Sequence, residues 1–456
     1  MHLMYIFTFC YQQRTYKYNL TAMKKNTFNT LFLIVIFNCC CVSAQQEKGI
    51  TGFENWLNNW TQFKANKVEY GKPTQILSGN IIKDTKLYKK DIYLLLGDVF
   101  VTDSTTLVIE PGTVIIGDFK TKGSLTISNG STLIANGKDT DPIIFTSSRS
   151  VKKPGDWGGL FILGDAPINK NGGTAVLNFG LTPSDSKSIS YGGDNPNSNS
   201  GILKYVRIEY AGKRTRDYGY FNALTLAGVG KDTTLDNIMI SYCEGNSFSI
   251  LGGDVALDKL VSYRSSSNDY QINYGAQCTI TNSLAVKSPY VSKAGASRCL
   301  NILNHDPDTT PDLTKTQTVV NAENLTLLNI SNNLDNDIKI GLVNEAIFIG
   351  DAVSFTIDKS VISGFNPAVI LDKKIIINNE NLEKIVFTRN YFNSCNGNIF
   401  IKDRRTNDDL ENWYGSRAFN NVYSKGTDIE TFIDAKNMDS PDYRLRINRI
   451  IATNNE

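Results

Sequence analysis

"LDNIMISYCEGNSFSILGGDVALDKLVSYRSSSNDYQINYG", residues 235–275, contains the same unit twice. Leu235 is followed 22 residues later by Leu257, and the same offset relates Ile250 to Ile272. A fixed period of this length is typical of solenoids, in which each repeat covers the next. We therefore expect Ile250 and Ile272 to stack directly above one another inside the protein.

The spacing of apolar residues inside each unit indicates strands. "DNIMISY" and "NSFSIL" alternate apolar and polar side chains, which is the period of a strand with one buried face. Two or three such strands per unit, separated by Gly, Asn, Asp and Ser, form one turn of a right-handed parallel β-helix. Leucine-rich repeats have a similar length, but their Leu-x-x-Leu-x-Leu spacing is missing. The predicted fold class is all-β.

Weaker copies of the unit extend the repeat in both directions. They occur at 202–205, 357–360 and 382–385. Closer to the amino terminus, "TLVIEPGTVIIGD" (106–118) and "SLTISNGSTLIANG" (124–137) are short β-branched strands separated by Pro-Gly and Asn-Gly turns. We expect these segments to stack as the first coils of the same solenoid.

The amino terminus has the pattern of a secretory signal peptide. Residues 23–25 form a basic start, 31–37 an apolar run, and 42–44 a small-residue cleavage site. Met23 is an alternative start residue, and cleavage after Ala44 would leave Gln45 as the first residue. Three cysteines, Cys39, Cys40 and Cys41, leave lipid modification as an alternative.

Four segments are expected on this basis. They are a signal peptide over 1–44, an amino-terminal cap over 45–75, a parallel β-helix over 76–400, and carboxyl-terminal turns with a cap over 401–456. The caps are expected because a stacked core has two open ends. After residue 44 no apolar stretch approaches the length that a membrane span requires, so we expect an exported chain without a transmembrane span.

Composition excludes several classes of function. Lys and Arg number 47 and Asp and Glu 45, which gives no reason to expect nucleic acid as a partner. Only two histidines are present, so neither a metal site nor another cofactor is expected. Disulfides and buried thiols are both open for the four cysteines after residue 44, which are Cys243, Cys278, Cys299 and Cys395.

Several longer motifs resemble a known family. They are "DPIIFTS" (141–147), "GDWGGLFILGDAPIN" (155–169), "YGGDNPNSNSGILKYVRIEYAG" (191–212), "LTLAGVGKDTTLDNIMISY" (224–242) and "FSILGGDV" (248–255). In this order they resemble a family of exported β-helix proteins of Bacteroidetes, over about Ile76 to Gly275. The resemblance implies a pectin-lyase-like fold and a location at the cell surface or outer membrane, with periplasm as an alternative. It also implies a polysaccharide or an outer-membrane protein, such as a TonB-dependent receptor, as partner.

The chain departs from that family at two segments that are usually rich in Asp and Glu. Here they carry Asn246 and Asn268, and only Asp269 keeps a negative charge. Amides cannot supply the charge that Ca²⁺ needs, but they form stacked hydrogen bonds between coils. We therefore expect an internal amide ladder at these positions and no calcium site.

Catalysis on this kind of scaffold is the alternative function. A polysaccharide lyase needs a base such as Arg or Lys, and a glycoside hydrolase needs two carboxylates at a controlled separation. The weak catalytic candidates are Asp254, Arg264 and Asp269, with Lys287 nearby in the sequence. Asp236 and Asp258 recur 22 residues apart but are interpreted as solvated turn residues, and no other two carboxylates recur on one apparent face, so a non-catalytic protein is preferred.

The preferred function is binding of a glycan or an envelope partner. The loop "AGKRTRDYGYFN" (211–222) combines Arg214 and Arg216 with Tyr218 and Tyr220. Arginines suit carboxylates or sulfates, and aromatic faces suit sugar rings. "DWGG" (156–159) is interpreted as a coil corner that Trp157 covers, with ligand binding by Trp157 as the alternative.

Overall fold

Parallel strands dominate the computed structural model, which describes residues 48–177, 180–292, 297–306, 314–404 and 407–446. Of these strands, 29 hydrogen-bond into one continuous system that winds over three faces, named here A, B and C. The expectations for residues 1–44 lie outside the described residues. No helix in the described ranges is long and apolar enough to cross a membrane.

The strands of the three faces follow one another as A, B, C in each coil. Face A contains Thr85–Leu87, Thr106–Ile109, Thr132–Asn136, Asp254–Asp258, Gln277–Thr281, Thr318–Glu323, Val353–Asp358 and Ile385–Thr388. Face B contains Val114–Gly117, Ile143–Ser147, Val261–Tyr263, Leu284–Lys287, Thr326–Asn329, Val361–Ser363, Tyr391–Asn393 and Val422–Ser424. Face C contains Ser124–Ile127, Leu160–Leu163, Leu224–Ala227, Phe248–Leu251, Tyr270–Asn273, Leu300–Ile302, Ile347–Ile349, Val369–Leu371 and Ile399–Ile401.

Longer strands bend from one face to the next, and short elements lie outside the coils. Gly201–Glu209 and Thr234–Ser241 run from face A to face B, and Gln75–Ile81 and Ile92–Val101 run from face B to face C. Two antiparallel pairs join Ala175–Val176 to Ser190–Tyr191 and Phe432–Asp434 to Asp442–Leu445. The α-helices are Leu334–Lys339, Asn379–Glu383, Asp408–Tyr414 and Asp428–Thr431, and the 3-10 helices are Ala65–Lys67, Asn171–Gly173, Ser186–Ile189 and Arg417–Phe419.

The predicted register is confirmed at the repeat that defined it. Leu235 pairs with Leu257 on face A, and Ile250 pairs with Ile272 on face C. Both isoleucines are fully buried, as expected for residues that stack inside the solenoid. The all-β parallel β-helix predicted from the period is therefore the observed fold.

Two of the weaker copies were aligned incorrectly. Leu203, rather than Ile202, pairs with Leu235, so that copy is shifted by one residue. Leu382 belongs to the helix Asn379–Glu383, and the residue that pairs with Ile357 is Phe387. The inserted helix and the residue after it contain the same Leu-acidic-Lys pattern. They do not occupy the face A position that this pattern has in the other coils.

The corner from face A to face B is a single residue in the left-handed region of φ. This residue follows the last face A position in seven coils, namely Tyr205, Asn237, Lys259, Asn282, Asn324, Lys359 and Arg389. A one-residue corner cannot change in length without shifting the next strand to the opposite orientation. The short period of the repeat is therefore preserved best around this corner.

Residues 48–68 lie along the outer side of face B rather than over the end of the stack. The Gly49 amide donates to the Lys359 carbonyl over 2.7 Å, and the Asn282 side-chain amide donates to the Thr51 carbonyl over 3.0 Å. The Tyr242 hydroxyl donates to the Phe63 carbonyl over 2.8 Å. These contacts correct the expected cap over 45–75, because they touch coils far beyond the first one.

The reason for this path is the apolar outer surface of face B. Met239 and Val261 point outwards there, next to each other in the ladder, and both are buried. Trp60 and Phe63 cover this side and are themselves 1% and 2% exposed. The segment thus removes from water apolar surface that the coils alone would leave exposed.

The carboxyl-terminal region contacts both the last coils and the covered side of face B. Helix Asp408–Tyr414 buries Leu410 and Tyr414, and the Tyr414 ring lies 5.2 Å from that of Phe387. Tyr443 lies 6.0 Å from Phe63. The four cysteines are thiols in the structure, and Cys243, Cys278 and Cys299 are buried.

Candidate functional site

Three loops that lead from face B to face C stack on one another in consecutive coils. They are residues 118–123, 148–159 and 210–223. The Gly158 amide donates to the Gly123 carbonyl over 2.8 Å, and the Gly212 amide donates to the Gly158 carbonyl over 2.8 Å. The three glycines therefore form a ladder with one position in each coil.

Trp157 lies inside the middle coil and is 0% exposed. Its ring stacks on Phe145 at 6.3 Å, and its indole nitrogen donates to the Glu209 carbonyl over 2.7 Å. A ligand at the surface cannot reach this ring, so Trp157 is removed from the ligand-binding candidates. The predicted coil corner is confirmed. Gly158 and Gly159 are required there because a Cβ atom at either position would clash with the neighbouring coil.

The third loop projects from the corner as a short hairpin. Arg214 and Tyr220 form an isolated antiparallel bridge, and the Phe221 amide donates to the Lys213 carbonyl over 2.8 Å. Phe221 anchors the base of the hairpin because it is fully buried and packs edge-on against Phe161 at 5.1 Å. The tip is exposed, including Tyr218 at 45%.

A pocket of about 330 Å³ lies between this hairpin, the loop 118–123 and Gly180. We call it the basic pocket. Its basic side chains are Lys120, Lys122, Lys213, Arg214 and Arg216, and it also contains Asp217 and Tyr218. Three of the four predicted ligand residues on this loop, Arg214, Arg216 and Tyr218, thus line one pocket, whereas Tyr220 does not line it.

The cations of the basic pocket differ in their partners. Lys213 is 3.3 Å from the Asp98 carboxylate and 4.5 Å from the Phe221 ring centre, and its side chain is only 12% exposed. Within the part of the chain that the structure describes, Lys120, Lys122, Arg214 and Arg216 form no ion pair. These four charges are therefore available to an anion from solution.

Lys120 and Lys122 are residues that the sequence analysis missed. They belong to "DFKTKGS" (118–124), far from the loop 211–222 in sequence. The feature that links the two loops is a glycine at the same place in the ladder, Gly123 directly before its face C strand and Gly212 before the hairpin that leads to Leu224. Aligning the loops on that glycine places the two basic loops near each other.

The three weak catalytic candidates do not come together. Asp254 begins a face A strand, Arg264 follows a face B strand with its guanidinium 5.3 Å from the Tyr263 ring, and Asp269 precedes a face C strand. Asp269 is also 0% exposed, so no substrate can touch it. The chain therefore does not assemble these residues into one site.

Asp269 instead belongs to a buried network inside the coils. Its carboxylate accepts a hydrogen bond from the Ser262 hydroxyl, and the Lys287 ammonium lies 3.5 Å from the other carboxylate oxygen. Lys287 also donates to the Ser265 carbonyl over 3.3 Å. Burial raises the pKa of Asp269, and the charge of Lys287 opposes that shift. This arrangement is a structural ion pair rather than a reactive one.

The expected amide ladder is confirmed. The Asn246 side chain donates to the Asn222 side-chain oxygen over 3.0 Å, and its own oxygen accepts from the Asn268 backbone over 3.1 Å. The Asn268 oxygen in turn accepts from the Arg298 backbone over 3.0 Å. The ladder therefore joins four consecutive coils. In the described ranges, no group of three or more His, Cys, Asp or Glu side chains could hold a metal ion.

The match to a protein family agrees with the architecture. Residues 79–435 match the family described as pectate-lyase like beta helix domain. No curated protein matches the chain significantly. A solved structure that aligns with it is the alginate lyase from Paenibacillus sp. str. FPU-7, at 10% identity and a TM-score of 0.28, over 77% of this chain and 98% of that one. Because the family match spans most of the sequence, this chain belongs to the pectate-lyase-like β-helix domain family.

Proposed function

We propose that the protein binds an anionic glycan in the basic pocket without cleaving it. The observation that carries the proposal is the group of four unpaired cations around an exposed tyrosine. Guanidinium groups form paired hydrogen bonds with carboxylates, and Tyr218 offers a ring face to a sugar. The candidate carboxylates for catalysis lie elsewhere, and one of them is buried.

Replacing Arg214, Arg216 and Tyr218 together by alanine is expected to weaken binding of an anionic polysaccharide by about 5- to 150-fold. Loss of the charged contacts and of the aromatic face costs about 1–3 kcal/mol. The measurement is equilibrium binding by calorimetry to polygalacturonate and to hyaluronan at low and at physiological salt, because contacts between exposed charges weaken as salt rises.

The matched control replaces Lys72, Lys83 and Tyr88 by alanine. This control also removes two positive charges and a tyrosine that is 45% exposed. None of its three residues lines the basic pocket. Equal loss of affinity in the control would show that net charge, not the basic pocket, drives binding. New reducing ends or unsaturated products in polysaccharide mixtures, abolished by changing the accessible candidates Asp254 or Arg264, would show that the protein cleaves polysaccharides.

Export to the cell envelope is part of the same proposal. Its support is the basic start, the apolar run and the Val42-Ser43-Ala44 segment. The intact mass of the protein purified from its native cells is expected to correspond to a chain that begins at Gln45. An acylated Cys39, Cys40 or Cys41, or a chain that retains residues 23–44, would contradict cleavage after Ala44.

A further inference from the structure

The basic pocket carries its available charges in two groups rather than as one patch. Lys120 and Lys122 belong to the first of the stacked loops, and Arg214 and Arg216 to the third. We propose, on the basis of the binding function above, that the pocket selects a glycan that carries a carboxylate on alternate sugars. In this proposal the glycan lies along the stacking direction of the coils, with one carboxylate at each group.

The glycine ladder sets the separation of the two loops at their base. Gly123 and Gly212 are both hydrogen-bonded to Gly158, which places them two coils apart. Parallel strands are spaced about 4.8 Å apart, so the two loops are separated by about 10 Å at their base. This distance is close to the length of one disaccharide unit in an extended glycan.

The middle loop contributes no charge to the basic pocket. Gly158 and Gly159 stand at its corner, and no residue of 148–159 lines the pocket, including the exposed Lys153. Lys152 donates to the Val68 carbonyl on the side of face B, and Arg149 pairs with Asp156 at 2.8 Å. A sugar inside the basic pocket therefore meets no cation from the middle loop.

The remaining charges at the pocket also disfavour a carboxylate between the two groups. Lys213 is neutralised by Asp98, which additionally accepts hydrogen bonds from Ser124 and Thr182. Asp217 adds an exposed carboxylate to the lining of the pocket. A third ligand carboxylate between the two cation groups would lose its water without gaining a counter-charge.

The test measures binding of hyaluronan fragments, in which uronate and uncharged sugars alternate. The disaccharide has one carboxylate and the tetrasaccharide has two. We expect the tetrasaccharide to bind at least about ten-fold more tightly, because the second contact becomes intramolecular. We also expect it to bind more tightly than tetragalacturonate, which has the same length and a carboxylate on each sugar.

Variants on one loop locate the second contact. Changing Lys120→Ala and Lys122→Ala together should abolish the preference for the longer fragment, so that the tetrasaccharide and the disaccharide bind this variant within about two-fold of each other. Lys72→Ala with Lys83→Ala is the control for net charge and should leave the preference for the tetrasaccharide unchanged.

The outcomes separate the two proposals. A gain of no more than about two-fold from disaccharide to tetrasaccharide, the statistical factor for two equal ends, would overturn the alternate-carboxylate inference while binding itself stands. Tighter binding of tetragalacturonate, or a full gain in the Lys120 and Lys122 variant, would do the same. If neither polymer binds the wild-type protein, the binding function fails, and the inference fails with it.

Discussion

Replacing Lys287 by methionine is expected to lower the free energy of unfolding by about 3–5 kcal/mol. Lys287 is 2% exposed and its ammonium group is the cation beside Asp269, which is 0% exposed. The variant leaves the Asp269 carboxylate inside the coils with the Ser262 hydroxyl but without a counter-charge. The free-energy cost of removing the Asp269 carboxylate from water is then no longer offset by the lysine. The folded state must therefore either hold an unpaired charge or bind a proton.

The measurement is urea denaturation followed by circular dichroism, with the midpoint as the primary result. The double variant Lys287→Met with Asp269→Leu should recover most of the loss, because apolar groups of similar volume can replace a buried ion pair. Lys374→Met, at an exposed position, controls for the change of residue type. Equal destabilisation in the single and double variants would show that shape, and not the unpaired charge, determines the loss.

The sequence predicts the fold well where the coil has no freedom in length. Leu235 and Leu257 are related by the same offset as Ile250 and Ile272 because the corners have the same length in both coils: one left-handed residue from face A to face B, and loops of equal length, 242–247 and 264–269, from face B to face C. Insertion of one residue there would turn the apolar side chains of the next strand outwards. The period is lost where a helix such as Asn379–Glu383 is inserted between faces C and A, and the copy at Leu382 was misread for that reason.

The path of residues 48–68 could not be predicted from their own sequence. Trp60 and Phe63 indicate a segment that packs against another apolar surface. They do not indicate whether that surface is an end of the stack of coils or one of its sides. The deciding feature is the apolar outer surface of face B at Met239 and Val261. It becomes visible only after each strand has been assigned an inner and an outer side.

Only one of the two basic loops of the candidate site was predicted from the sequence. Arg214, Arg216 and Tyr218 were found because charge and aromaticity are concentrated in one continuous loop. Lys120 and Lys122 were missed because a solenoid brings together loops that are distant in sequence, at a spacing that depends on the intervening insertions. For Trp157 the preferred coil corner was correct, but the ligand-binding alternative stayed open because an aromatic residue beside glycines looks the same in a ligand loop and at a buried corner.

Replacing Ile250 by aspartate should have the largest effect on stability of any change considered, with a loss of at least about 4 kcal/mol in the free energy of unfolding. Ile250 is fully buried and lies in one column with Leu226 and Ile272. A carboxylate in that column would be surrounded by hydrocarbon above and below. In contrast to Asp269, it would have no lysine beside it.

Two further variants make this prediction decisive even if Ile250→Asp does not fold. Ile250→Val removes one methylene group from the same column and should cost about 0.5–1.5 kcal/mol in a protein that remains folded. Thr279→Asp introduces the same carboxylate on an exposed outer position of face A and should change the melting temperature little, because the charge stays in water. A melting temperature for Ile250→Asp equal to that of Thr279→Asp would mean that Ile250 faces solvent. In that case the register assigned to face C would be wrong. The separation of the two basic loops, which follows from that register, would be wrong as well.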